Sequence, residues 1–485
     1  MSSTPPATGA ESAPAASAAP SPSASEAPQR RHHPMGSTET RPLWKTFLVF
    51  LAPMLLSNIL QSMSGTINNI YIGQMIGVDA LAAVSSFFPV MFFFIAFTIG
   101  LGAGASVLIG QAWGAREPEK ARAVAGTTLT VGVLFGLTVA IFGGSFTEPM
   151  LRLLGTPPDI MEQATLYSRI VLLGMPGLFV FLLATSLLRG VGDTVSPMLA
   201  LLISTGTGLA CTPALIAGWA GLPRLGVASA GVSMILGFTL ALAWLGWRLR
   251  RIGSPLAPNA ALWKAMRIDR TLLKSILRVG IPTGVQMIAS SMAGLVVVSL
   301  VNGFGSSATA AYGAVNQINS FAQFPVISVA ITASILGAQA IGAGRSERLG
   351  AITATAIRMN LALGAALALI GSLFARPLLG MFITDEQVLV LAIELLYIVL
   401  WSGLLLGCFI ALSSIMRASG DVIIPTAITI TVLAVLELPM AWWLSRGFGL
   451  MGIWMALPLS YTLTLCLQTA YYKLVWKKRP IRRMV

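Results

Sequence analysis

Apolar segments of 20 or more residues recur down the chain from Phe47, at about 47-72, 81-108, 123-147, 164-187, 195-219, 225-248, 275-303, 309-340, 351-375, 387-412, 422-444 and 448-472. Wound as a helix, a run of that length matches the hydrocarbon thickness of a bilayer. Twelve of them in 485 residues leave little chain for a water-facing shell. Composition agrees, with 10% charged against 55% hydrophobic residues and a mean hydropathy of +0.81. Lipid is therefore the main solvent. There the backbone must satisfy its own polar groups, which leaves helices or closed barrels. Runs of helix length, in place of ten-residue alternating strands, select helices. The fold class is an all-α integral membrane bundle of 12 transmembrane helices.

The net charge of +14 raises the question of nucleic acid. The basic residues form no continuous stripe, so no nucleic-acid partner is expected. They sit in connections: Arg116, Lys120 and Arg122 after span 2; Arg248, Arg250, Arg251, Lys264, Arg267 and Arg270 after span 6; Arg345 and Arg348 after span 8. Arg41 and Lys45 precede span 1, and Lys477, Lys478, Arg479, Arg482 and Arg483 follow span 12. Connections after odd-numbered spans hold only Arg152, Arg224, Arg376 and Arg446. The positive-inside rule makes both termini and the even-numbered connections cytoplasmic.

Residues 1-42, rich in Ala, Ser and Pro and without an apolar run, read as a disordered tail. They lack the apolar core of a cleavable signal, and Met35 is a second candidate start. Cys211, Cys408 and Cys466 lie in spans and form neither a disulfide framework nor a metal-ligand spacing.

An internal repeat emerges when the chain is slid against itself by 228 residues. Gln111-Ala112 and Gly114-Ala115 meet Gln339-Ala340 and Gly342-Ala343; Arg189, Gly192, Asp193 and Pro197 meet Arg417, Gly420, Asp421 and Pro425. Ordered Gln, Arg, Asp and Pro matches at one offset are not compositional accidents. The halves are an N-lobe, 43-250, and a C-lobe, 275-472, joined by a cytoplasmic linker, 251-274, and followed by a basic cytoplasmic tail, 473-485. Six spans per half give both lobes the same orientation, related by a pseudo-two-fold axis along the membrane normal.

Two like lobes suit alternating access and so a transporter. A channel, the competing class with a scaffold, would show a re-entrant filter or a ring of charges. No Lys follows a Gly, so the chain has no phosphate-cradling Walker A loop, and ion-gradient coupling is the natural energy source. No catalytic constellation is present, and the only histidines, His32 and His33, lie in the tail.

The stretch "LLSNILQSMSGTINNIYIGQMIGVDALAAVSSFFPVMF" running into "GAGASVLIGQAWGAR", its counterparts "GIPTGVQMIASSM", "NGFGSSATAAYGAVNQI" and "ILGAQAIGAGR", and the paired "LLRGVGDTVSP" and "IMRASGDVIIP" resemble the multidrug and toxic compound extrusion (MATE) family over about residues 43 to 472. The resemblance implies a V-shaped antiporter exchanging Na+ or H+ for organic cations or other amphipathic compounds. It further implies a monomer in an inner membrane, with no cofactor. A lipid-linked precursor flippase of the same superfamily is the alternative, favoured if basic residues line the cavity. The family's usual coupling carboxylates are replaced: Asn68 stands where many members carry an acid, Gly208 and Thr212 precede Pro213, and Ser290 and Leu406 fall at two further acidic positions.

Glu437 is the clearest carboxylate inside a span. Two readings are open: ion coupling, or an interfacial position where it merely pairs with a basic group. Pro439 nearby can bend the helix and free a carbonyl. Asn58, Gln61 and Asn68 share one face of span 1 and, with Asn69, are candidates for substrate or ion contact, or for interhelical hydrogen bonds. Gln286, Asn316 and Asn319 are weaker counterparts in the second half. Arg189 with Asp193, and Arg417 with Asp421, are read as Arg to carboxylate pairs that hold the turns after spans 4 and 10, as caps or as an inner gate.

Overall fold

A computed structural model describes residues 42–485. Residues 1–41 of the expected disordered tail lie outside the described residues. Twelve helices are long and apolar enough to cross a membrane: α1 Leu43–Met75, α2 Val78–Gly114, α3 Pro118–Gly143, α4 Met161–Gly190, α5 Val195–Ala217, α6 Ala228–Arg251, α7 Arg270–Asn302, α8 Ser306–Gly342, α9 Arg348–Leu373, α10 Glu386–Ala418, α11 Ile423–Phe448 and α12 Leu450–Lys478.

Several helix ends differ from the edges of the apolar segments, because hydropathy marks the edge of the bilayer and not the end of a helix, and two of them extend into the stretches read as linker and tail. α7 begins at Arg270, inside the stretch read as linker, where the Asp269 carboxylate accepts the Thr271 and Leu272 N–H groups at 2.8 and 3.2 Å and so caps the helix. α12 runs on through Lys478, with Lys477 lying back 5.4 Å from the Tyr472 ring, so the terminal segment begins only at Arg479. The remaining linker contains one short helix, Ala260–Ala265, capped by Asn259.

The repeat shows in how helices end. After α4, the Gly192 and Asp193 N–H groups return to the Arg189 and Leu188 carbonyls; after α10, those of Gly420 and Asp421 return to Arg417 and Met416. Both are Schellman turns, with Gly192 (φ +95°) and Gly420 (φ +83°) in the left-handed region. α2 and α8 end the same way. At α8 the left-handed residue is Gly344 (φ +73°), whereas at α2 it is Arg116 (φ +61°), the one non-glycine with positive φ among the described residues.

Three buried clusters define the lobes. One lies toward the end bearing the basic connections and draws on both halves, including Leu101, Leu108, Ile109, Leu183, Ile276, Ile335, Ile341, Ile415 and Trp476. The other two belong to one lobe each: Ile72, Phe87, Leu151, Leu172 and Phe179 in the first, Val301, Val315, Leu379, Leu396 and Trp454 in the second. Two helix bundles that share a core at one end only form a V, with a cleft opening toward the other end. Helix association in lipid relies on close packing, and small residues permit it here. Gly100 and Gly104 of α2 lie against the α7 backbone at Gly280, Gly284 and Ile276, so closely that a Cβ on either would collide with it.

Arg116 carries a conformational cost that its repeat partner Gly344 avoids, about 1 kcal/mol. Arg116→Gly, at an exposed position, is expected to raise the thermal unfolding midpoint of the purified protein, while Gly344→Arg is expected to lower it.

Candidate functional site

The seam between the lobes is built from the paired glutamines of the repeat. Gln111 on α2 donates its Nε2 hydrogen to the Ala418 carbonyl at the end of α10 (2.8 Å), and Gln339 on α8 donates to the Gly190 carbonyl at the end of α4 (2.9 Å). These bonds are related by the 228-residue repeat. Each supplies a donor to a helix-end carbonyl that has no intrahelical partner. Such reach requires α2 and α8 to touch: a Cβ on Gly114 would collide with the Gln339 carbonyl, and one on Gly342 with that of Gln111. The terminal segment closes over one side of this seam. The Met484 N–H donates to Gln111 Oε1 at 2.8 Å, Arg483 stands 4.0 Å from Glu117, and Arg479 stands 3.9 Å from Asp421.

Further up the seam, Asn58 Nδ2 of α1 donates to Ser328 Oγ of α8 (3.2 Å), and the Thr332 hydroxyl faces the Met54 sulfur at 3.8 Å. These cross-lobe contacts all fall in the halves of α1, α2, α7 and α8 nearer the basic end. Their other halves flank the cleft.

Glu437 is buried at 8% exposure in the C-lobe, in a π-helical turn, Leu433–Glu437, that interrupts α11. Pro439, two residues on, cannot supply the N–H that an α-helix would bond to the Val435 carbonyl. The Ser460 hydroxyl of α12 donates to Glu437 Oε2 at 2.6 Å. The side chains of Tyr312 on α8 and Tyr461 on α12 both lie within reach of the Glu437 charge. No Lys or Arg pairs with it among the described residues. About two turns deeper, Gln468 of α12 accepts from Ser413 of α10 at 2.8 Å and donates to Thr429 of α11 at 3.0 Å.

The other expected residues divide. Asn58 joins the seam, and Gln61, Asn68 and Asn69 continue α1 beyond it, the first and last exposed and Asn68 half-buried. Gln286 lies just past the seam on α7 and accepts from Thr426 of α11 at 3.5 Å. Asn316 is exposed on α8, whereas Asn319 lines a cavity of about 20 Å³ inside the C-lobe, room for one water. No hydrogen bond joins Glu437 to Asn68, which belongs to the other lobe.

The Arg to carboxylate pairs are a correction. Asp193 does not bind Arg189; it accepts the Ser196 N–H at 2.9 Å, while Arg248 donates to the Ser196 hydroxyl at 3.0 Å, so this carboxylate caps α5. Asp421 likewise leaves Arg417 and accepts the Tyr471 hydroxyl at 2.5 Å. Helical side chains lean toward the N-terminus, so Arg189 and Arg417 lie back along their own helices while each aspartate, beyond a Schellman turn, faces another helix, Asp193 the following α5 and Asp421 α12. Arg417 Nε is buried with no partner. The residues that sequence reasoning passed over are Ser460, Tyr312, Tyr461 and Gln468, for which nothing in the chain's order signals a shared site. Gln111 and Gln339 did carry a signal, as matched positions of the repeat.

The MatE family model matches residues 53–213 and 282–443, one stretch in each lobe. The chain is 40% identical over 445 residues to Probable multidrug resistance protein YoeA of Bacillus subtilis (strain 168), covering 91% of this chain and 96% of that protein. It is 26% identical over 420 residues to a protein of Shewanella oneidensis named FAD transporter, covering 86% of this chain and 92% of that one. Among solved structures, the outward-facing conformation of a multidrug resistance MATE family transporter of the MOP superfamily matches with a TM-score of 0.81 at 22% identity, over 89% of this chain and 95% of that one, a likeness of fold.

Gln111→Leu and Gln339→Leu each leave a buried carbonyl without a donor, at a cost of about 1–3 kcal/mol, and the first also orphans the Met484 N–H. With spin labels at the exposed, repeat-related Glu119 and Glu347, both variants are expected to show a longer and broader distance distribution, Gln111→Leu more so. Unchanged distributions would mean that these bonds do not hold the seam.

Proposed function

The chain belongs to the MatE family of transporters, and on that premise we propose that it is a secondary active antiporter that exports organic cations or other amphipathic compounds in exchange for H+ or Na+ by alternating access. Glu437 is the observation that carries the coupling half of this reading. A charge near a helix centre costs on the order of 3 kcal/mol on insertion scales, and this carboxylate has one hydroxyl donor and no cationic partner among the described residues. A proton or a sodium ion neutralises it. The Ser460 hydroxyl orients the carboxylate toward either.

By the positive-inside rule the closed seam faces the cytoplasm in an inner membrane, and the cleft opens outward. Both termini are then cytoplasmic. Substrate meets the amides that flank the cleft, Gln61, Asn68 and Asn69 on α1, Gln286 on α7 and Asn316 on α8, and the lobes rock about the seam. Export of a cation suits walls without positive charge, and the cleft-side halves of α1, α2, α7 and α8 contain no Lys or Arg. The same fact counts against flipping of a lipid-linked anion. The protein works as a monomer, each lobe completing the cleft for the other.

In proteoliposomes given a proton or a sodium gradient, the wild type is expected to take up a fluorescent organic cation, and the ion that drives uptake is the coupling ion. Glu437→Gln is expected to bind the dye and lose roughly tenfold or more of gradient-driven uptake. Undiminished driven uptake in Glu437→Gln removes the coupling role.

A further inference from the structure

Between the start of α3, the end of α6 and the linker lies a pocket of about 320 Å³, lined by Arg122, Arg250, Ser254, Pro255 and Asn259 among others. Its two arginines are fixed by the linker backbone. Arg122 Nε donates to the Pro255 carbonyl at 3.1 Å, and Arg250 Nε to the Pro258 carbonyl at 2.8 Å. Both guanidinium groups keep their terminal nitrogens uncommitted, and neither arginine forms an ion pair among the described residues. The Ser254 Oγ accepts the Leu256 N–H and the Asn259 Oδ1 accepts that of Leu262, which leaves the hydroxyl hydrogen of one and the amide hydrogens of the other free to donate. No carboxylate lines the pocket. Positive-inside topology requires arginines on this side of the membrane, but it does not require two of them on one concavity with no carboxylate between them. Like charges brought together this way repel unless an anion lies between them.

The pocket sits at headgroup depth. α6 leaves the apolar layer at Arg248 to Arg251, and Trp247 and Trp263, 55% and 63% exposed, mark the interface as tryptophans do, with Arg251 5.1 Å from the Trp247 ring centre. We propose that this pocket binds the phosphate of an anionic phospholipid, with Arg122 and Arg250 each turning a pair of N–H groups to its oxygens and Ser254 and Asn259 completing the shell. The bound lipid staples the linker to the first lobe, beside the point where Thr127 of α3 donates to the Arg267 carbonyl at 3.0 Å. The site is independent of what the cleft carries.

The test is native mass spectrometry of the detergent-purified protein titrated with phosphatidylglycerol or phosphatidylcholine, with and without millimolar inorganic phosphate. Wild type is expected to keep phosphatidylglycerol in preference to phosphatidylcholine. The double variant Arg122→Gln/Arg250→Gln is expected to bind it about thirtyfold more weakly, from two cationic contacts, while Arg251→Gln/Lys264→Gln, which removes the same number of charges outside the pocket, stays close to wild type. Ser254→Glu keeps both arginines and fills the pocket with a resident carboxylate; it is expected to lose the lipid while remaining folded, and so serves if the double variant does not fold. Phosphatidylglycerol binding that survives both changes overturns the proposal. Displacement of the lipid by inorganic phosphate alone would assign the pocket to a soluble phosphate and overturn the lipid assignment.

Discussion

Two helix ends without donors lie at the centre of this structure. The carbonyls of Gly190 and Ala418 close α4 and α10 on the basic side, and each takes its hydrogen from a glutamine of the opposite lobe. Buried within protein, an unpaired carbonyl is costly, so the lobes complete each other there. Gly114 and Gly342 allow the backbones of α2 and α8 to come close enough for it. Among the described residues no comparable pair of bonds joins the other ends, where each lobe has its own core. The V and its cleft follow from that imbalance.

Much of this could be read before any coordinates. Hydropathy located every span because lipid imposes a length on each of them, and the fixed offset located the lobes because ordered Gln, Arg, Asp and Pro matches carry information that Ala and Gly do not. The ends of α7 and α12 were misplaced for a related reason: Asp269 and Lys477 extend helices into a region where hydropathy no longer reports on backbone hydrogen bonding. The Arg to carboxylate pairs were misread because a spacing of four suggests a helical pair, while the Schellman turn between them sends the two side chains to different neighbours.

The polar site was legible in part. Glu437 announces itself as a carboxylate in an apolar run, and Pro439 as a break beside it. Its setting did not follow, since Ser460, Tyr312 and Tyr461 come from two other helices and meet it only through packing. The amides of α1 were visible as a polar face, but only the structure distinguishes Asn58, used in the seam, from Gln61 and Asn69, which lie beyond it. A single sequence gives residue types and spacing along one helix. It gives no depth relative to a neighbouring lobe.

The terminal segment adds a last point. Gln111 is engaged on both sides of its amide, by the Ala418 carbonyl and by the Met484 N–H, whereas the Oε1 of Gln339 accepts no hydrogen bond among the described residues. Arg483 and Arg479 then reach Glu117 in one lobe and Asp421 in the other. A molecule made of two matching halves thus has a handed lock: one glutamine releases a helix end, while the other must release a helix end and a strand of chain together. The repeat, symmetric in its helices, is therefore polar in the plane of the membrane.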